Sequence, residues 1–288
     1  MPDKFAATWV SHSSMSDFLQ CPRAYFLKNV YKDPNTGHKV QIVSPALALG
    51  SAVHEVIEGL SETATDKRFS RSLIEQLEKV WKKHHGKRGG FLNQSQEDLY
   101  KEQGKDMLRM VMEHPGPLKK LAVKIKADLP QYWLSETDEI ILCGKLDWLE
   151  YFPETDTVHI IDFKTSKSKD ANSTLQLPIY NLLASNTQRR RVEKASYWFL
   201  RLEQSPEEQP LPDLKEAHEQ ILGIAKQIKL ARKLERFPCS QETGCFACKP
   251  MEEILAGNAE FVGENDFRQD MYIVDSSIDE EKMASEIL

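Results

Sequence analysis

Asp147, Asp162 and Lys164 are the residues of this 288-residue chain best spaced to do chemistry together. They lie in Gly144-Lys145-Leu146-Asp147-Trp148 and Ile160-Ile161-Asp162-Phe163-Lys164-Thr165, two strand-like runs joined through the turn residues Pro153-Glu154-Thr155-Asp156. Alternate residues of a strand share a face, so Asp162 and Lys164 point together and away from Ile161 and Phe163. Asp147 belongs to the partner strand, and the hairpin brings two carboxylates and an ammonium to one end. Hard divalent cations take oxygen ligands of this kind. A cation held there would lower the pKa of a bound water and neutralise charge on a phosphodiester, with the lysine orienting the nucleophile. An isolated D-x-K is most often a surface ion pair, so the reading depends on its company.

That company is ordered along the chain. Gly50, His54 and Glu58 fall at i, i+4 and i+8, one face of a helix, where a neutral imidazole would add a nitrogen ligand. His54-Glu55-x-x-Glu58 lacks the second histidine of a zinc protease, which excludes that class. Gln176 and Tyr180 stand four apart on the helix after the hairpin, aimed at a phosphate or the attacking water. Cys239, Cys245 and Cys248 follow as C-x5-C-x2-C, and Cys21-Pro22-Arg23 lies near the start. Three cysteines within ten residues suggest a metal site, with Cys21 as a fourth ligand pinning the two ends of the chain together. Cys143, in an apolar strand, reads as a core residue.

The elements that must position these groups are helices first and strands after. Ser13-Ser14-Met15-Ser16 caps a helix whose apolar stripe runs through Phe18, Leu19, Tyr25, Phe26 and Leu27. Further helices are predicted over 45–62, 71–87 and 94–121. Strands are predicted over 132–134, 140–152 and 158–164, then a helix at 175–185, a strand at 193–202 and a long helix at 214–236. This is an α/β chain with a small central mixed sheet flanked by helices. A single unit over 1–249 would contain a basic helical insertion at 66–127 and a cysteine knot at 239–248, followed by an acidic extension at 250–288 whose last residues, 275–288, are expected to be mobile.

The formal net charge of −6 argues against a nucleic-acid partner until it is divided. Residues 250–288 hold 11 acidic and 2 basic residues, a net of −9, which leaves +3 for residues 1–249. Residues 66–126 hold 15 Lys and Arg against 8 Asp and Glu. This basic stretch, with Lys82-Lys83, Lys87-Arg88 and Lys119-Lys120, is expected to follow a phosphate backbone. No apolar run is long enough to span a membrane, and the first residues lack the apolar stretch of a signal peptide. The expected location is the cytoplasm, with no membrane partner.

Taken in order, the S-x4-F-x2-C-P-R-x-Y segment (Ser13, Phe18, Cys21, Tyr25), G-x3-H-x3-E, G-x2-D, D-x-K, Q-x3-Y and the terminal cysteines resemble the PD-(D/E)XK nuclease superfamily, in particular its RecB-like branch. The resemblance implies a restriction-endonuclease-like core with a cysteine-metal staple. It implies that His54, Asp147, Asp162 and the Phe163 carbonyl bind Mg²⁺ or Mn²⁺, with Glu58 in support. Lys164 would be the catalytic lysine, with Gln176 and Tyr180 assisting at the phosphate. In four-cysteine relatives, which include AddB nuclease subunits and CRISPR-adaptation nucleases, one N-terminal and three C-terminal cysteines hold a [4Fe–4S] cluster. Those relatives space the last three as C-x2-C-x5-C; here the gaps are reversed, so structural Zn²⁺ stays open beside the cluster.

The implied activity is a DNA exonuclease acting on single strands or ends, in DNA repair, recombination or CRISPR- and phage-related processing. No G-x4-G-K-[ST] is present, so a helicase or CRISPR-adaptation partner would join in trans. The alternatives are a non-catalytic DNA-binding or assembly module, and an iron–sulfur sensor that keeps the fold.

Overall fold

The structure is a computed structural model that describes residues 3–127, 129–169 and 175–274; the predicted mobility of 275–288 lies outside the described residues. The chain begins with β1 (Thr8–Val10) and α1 (His12–Gln20). Ser11, not the Ser13–Ser16 run, caps α1: its hydroxyl accepts from the Ser14 N–H while Ser14 Oγ accepts from the Ser11 N–H. The helix predicted to continue through Leu27 breaks at Cys21, which is extended (φ −164°), because Pro22 offers no N–H. A short α2 (Pro22–Tyr25) runs into a π-helical turn, Phe26–Val30. Next come β2 (Lys39–Ile42), α3 (Pro45–Gly59), α4 (Leu73–Trp81) and α5 (Gln94–Glu113). Helix α5 stops short of the predicted 121 at Pro115-Gly116-Pro117, where a 3-10 turn takes over.

Strands β3 (Gln131–Ser135), β4 (Ile140–Cys143), β5 (Trp148–Phe152) and β6 (Thr157–Lys164) lead to α6 (Gln176–Thr187), β7 (Arg191–Phe199), β8 (Glu207–Gln209) and α7 (Leu214–Lys233). Helix α8 (Lys249–Leu255) and the hairpin of β9 (Glu260–Glu264) and β10 (Gln269–Ile273) end the described chain. The central sheet is mixed, ordered β5-β6-β7-β8, with β6 and β7 parallel and the outer pairs antiparallel. A second sheet, β1-β4-β3, lies beside it, and a third, β2-β10-β9, joins the two ends of the chain. The fold is α/β with a restriction-endonuclease-like arrangement of strands and helices.

The predicted single strand over 140–152 is two. Its first half pairs with β1 and β3, its second with β6. Residues 144–147 make the crossing, and Gly144 packs tightly there: a Cβ would stand 2.9 Å from Leu183 Cδ1 of α6, which would have to shift. Asp147 is thereby set at the mouth of β5. The Trp148–Ile161 pairing, extended by one residue, puts Asp147 opposite Asp162.

Each face of the central sheet buries its own core. Val158 and Ile160 of β6 face α1, α6, α7 and the second sheet. Ile161 and Phe163 face α3, α4 and α5, where Trp81, Phe91 and Trp198 are buried. The predicted helical insertion is therefore packed as the roof of the sheet. A third cluster surrounds Cys21, Cys245 and Cys248 with Leu27, Val40 and Met251. Among the described residues no helix is long and apolar enough to cross a membrane.

Candidate active site

Helix α3 brings His54 and Glu58 to the end of β6. Ser44 accepts from the Leu47 N–H and Pro45 occupies the first turn, so the helix starts at a fixed point. The helix passes the strand end at Gly50, where a Cβ would stand 3.4 Å from Thr165 Oγ1, an ordinary contact. The His54 ring stands edge-on to Phe163, centroids 6.2 Å apart. Its Nδ1 is 3.6 Å from Glu58 Oε1 and 3.5 Å from Asp147 Oδ2. Asp147 is fixed by the Phe163 N–H, which donates to Oδ2 at 3.0 Å. Burial alone would lower the His54 pKa, but the Asp147 and Glu58 carboxylates raise it to about 10.

On the other side of Asp147, β6 presents Asp162 and Lys164 to α6. Asp162 is 2 % exposed, and its Oδ2 pairs with Lys164 Nζ at 2.8 Å. Burial, then the neighbouring Asp147, push the Asp162 pKa up to about 7. Gln176 ties the group together. Its Oε1 accepts from Lys164, and its Nε2 donates to Asp162 Oδ1 at 2.6 Å and to Tyr180 Oη at 3.1 Å. Burial and both aspartates drive the Tyr180 phenol above its usual range, so it stays protonated. Lys164 also lies 5.0 Å from the centre of the Tyr197 ring.

All seven polar side chains picked from sequence, Glu58 included, thus converge at one end of the β5–β6 hairpin. The ligand atoms of His54, Glu58 and Asp147 lie within 4.8 Å of one another. Asp162 adjoins them but is turned to Lys164 and Gln176, and Phe163 contributes its N–H to Asp147 and its ring to the core. Two carboxylates crowded on an imidazole, beside a third, buried carboxylate, make an oxygen-rich set that fits a hard divalent cation. Sequence reading missed His12. Burial and the nearby Lys164 ammonium lower its pKa to about 4, which keeps it neutral. It arrives through the pairing of β1 with β4, a long-range contact that no local spacing announces.

The cleft over this site, about 1160 Å³, is lined by His54, Glu58, Lys124, Lys126, Lys145 and Phe267 among others. Lys145 pairs with Glu58, and Lys124 with Glu62 at 2.6 Å. Most cations of 66–127 have partners within the chain. Lys83 pairs with Glu55 and Lys101 with Glu78, while Lys87 and Arg88 hold Glu260 and the Glu264 carbonyl of β9. Among the described residues Lys126 is exposed and makes no ion pair.

Cys21, Cys239, Cys245 and Cys248 meet as the sequence suggests, their Sγ atoms within 4.8 Å of one another. Three are buried and Cys239 is half-buried. Burial would raise the Cys245 thiol, but the Cys248 and Ala247 N–H groups bring it down to about 7. Four converging thiols suit a borderline or soft metal. Cys143 stands apart, its thiol donating to the Val10 carbonyl at 3.4 Å inside the second sheet.

A separate array has the connectivity of a serine–histidine–acid nucleophile. Ser196 Oγ is 2.7 Å from His159 Nε2, and His159 Nδ1 is 3.0 Å from Glu150 Oε2. All three are buried, at 1 %, 7 % and 3 % exposure, so no substrate reaches Ser196. It is a buried polar network across β5, β6 and β7, with Lys120 Nζ 3.3 Å from the other Glu150 oxygen.

No curated protein matches the chain. A family model described as the PD-(D/E)XK nuclease superfamily matches residues 9–251, a span that runs from within β1 through the β5–β6 hairpin and α6 to the last of the four cysteines. Match and geometry agree, and the chain belongs to the PD-(D/E)XK nuclease superfamily.

Proposed function

We propose that this nuclease-family chain is a Mg²⁺- or Mn²⁺-dependent DNA exonuclease of the RecB-like branch. It would work in the cytoplasm on single strands or DNA ends, in repair, recombination or CRISPR- and phage-related processing, with any helicase or CRISPR-adaptation partner supplied in trans. The observation that carries the catalytic part is the convergence of His54, Glu58, Asp147, Asp162, Lys164, Gln176 and Tyr180 at one hairpin end. A set of this completeness speaks against a non-catalytic module. End-directed cleavage of DNA rests on the order of the sequence motifs.

His54, Glu58, Asp147 and Asp162 would hold the divalent ion. When bound, it supplies Lewis acidity at the phosphate and a lowered pKa for a coordinated water. Lys164 Nζ presents its charge to the phosphate oxygens and orients the attacking water. Gln176 fixes the Lys164 and Asp162 head groups by accepting from one and donating to the other. Tyr180, kept protonated, offers an O–H to a phosphate oxygen. Lys124 and Lys126 on the cleft wall face the strand that carries it.

The test is degradation of labelled single- and double-stranded DNA, with each end blocked in turn, in Mg²⁺ or Mn²⁺. Wild type should shorten DNA from a free end, and Asp162→Ala and Lys164→Ala should abolish this. Activity that survives both substitutions overturns the site. Cleavage of circular single strands overturns the exonuclease reading.

A further inference from the structure

We infer that the four cysteines hold one tetrahedral zinc ion and not a [4Fe–4S] cluster. Cys248 Sγ lies 3.8 Å from Cys245 Sγ and 3.8 Å from Cys239 Sγ, and no pair of the four Sγ atoms is more than 4.8 Å apart. Four thiolates on one ion, each with a Zn–S bond of about 2.3 Å, stand ~3.8 Å apart along the edges of the tetrahedron. In a cubane each thiolate binds a different corner iron. An iron–iron edge then adds to the separation, and the four sulfurs stand roughly 6 Å from one another. The cluster does not fit between these thiols; a single ion does.

The surrounding backbone closes the space further. Gly244 adopts φ +83°, and a Cβ at that position would lie 3.4 Å from Cys248 Sγ and 2.6 Å from Glu252 Oε2. The Cys245 N–H donates to Cys248 Sγ at 3.2 Å, and the Gln241 N–H to Cys239 Sγ at 3.4 Å. Such donors offset the net negative charge of a four-thiolate ion. With four protein ligands the ion has no open position, and zinc has no redox chemistry, so the site is a closed structural staple.

The test is metal analysis of the full chain, purified anaerobically from cells supplied with both iron and zinc. One zinc per chain is expected, with neither acid-labile sulfide nor a broad band near 400 nm. Four irons with four sulfides and that band would overturn the assignment. So would protein lacking metal, or carrying one iron in place of zinc. Exchange with Co²⁺ should yield the visible spectrum of a tetrahedral cobalt thiolate, and an octahedral spectrum would count against it. None of these readouts depends on DNA cleavage, so the zinc assignment and the nuclease reading stand or fall separately.

Discussion

Gln176 is the side chain on which the order of the site depends, because one amide serves three partners, Lys164, Asp162 and Tyr180. It acts through its neighbours, so Gln176→Ala should lower kcat about 100-fold and move KM little, the signature of misplaced catalytic groups. A larger effect on KM than on kcat would mean that Gln176 binds substrate instead. Protonation gives a second residue-scale prediction. The folded chain holds the Asp162 proton up to about pH 7 against a normal 3.8, and the His54 proton up to about pH 10 against 6.5. Both shifts mean that the folded state binds more protons than the unfolded one. Stability therefore falls as pH rises, through about 4–7 for Asp162 and about 6.5–10 for His54. In Mg²⁺-free buffer the Tm should be lower at pH 9 than at pH 6, and adding Mg²⁺ or Mn²⁺ should narrow the gap. A Tm that climbs over that range contradicts the assignment. The D-x-K, H-x3-E and Q-x3-Y pairs were readable in the sequence because strand and helix periodicity alone put their members on one face. His12 was not, since only sheet pairing carries it to Lys164.

At the scale of elements, α3 must be held at the right height for His54 to meet Asp147. Gly90 takes part in this: at φ +81° its backbone passes the α3 cap so closely that a Cβ would stand 2.6 Å from Ser44 Cα. Gly90→Ala should lower stability by about 1–3 kcal/mol and weaken Mn²⁺ binding, read by calorimetry and metal titration. Unchanged values in both would remove the link between that loop and the site. The sealed Ser196–His159–Glu150 array predicts a purely structural cost. Ser196→Ala should destabilise by about 1–3 kcal/mol through an orphaned buried imidazole, with nuclease activity at permissive temperature unaltered. Sequence reading located most of these elements but not their breaks. The split at 144–147 depends on which sheet each half joins, and the β9–β10 hairpin is short, with exposed, polar residues on β9, so neither shows in local periodicity.

For the whole molecule, charge distribution and chain closure matter most. Four cations of residues 66–126, Lys83, Lys87, Lys120 and Lys124, pair with carboxylates outside that stretch, and the cleft lysines lie nearest the paired aspartates, so DNA affinity should follow the cleft lysines. Lys126→Ala should reduce the slope of log affinity against log salt by about 1, while Lys87→Ala should leave it unchanged. Equal effects from both would place the DNA elsewhere. Closure is stronger. With the proposed zinc bound, the cysteine site would link Cys21 to Cys239 across 218 residues, a cross-link that chain-entropy arguments value at about 5 kcal/mol, so removing that zinc should lower the Tm by roughly 10 °C or more.

The third sheet sets an order of events that the finished fold conceals. Its middle strand, β10, is the last of the described strands to be synthesised, while β2, which it must pair with, is made more than 220 residues earlier. On the ribosome β2 waits with its edge uncovered until residue 273 has been made. The catalytic hairpin and its helices are complete well before the two ends of the chain are sewn together, and birth of the nuclease and closure of its frame are separate steps in time.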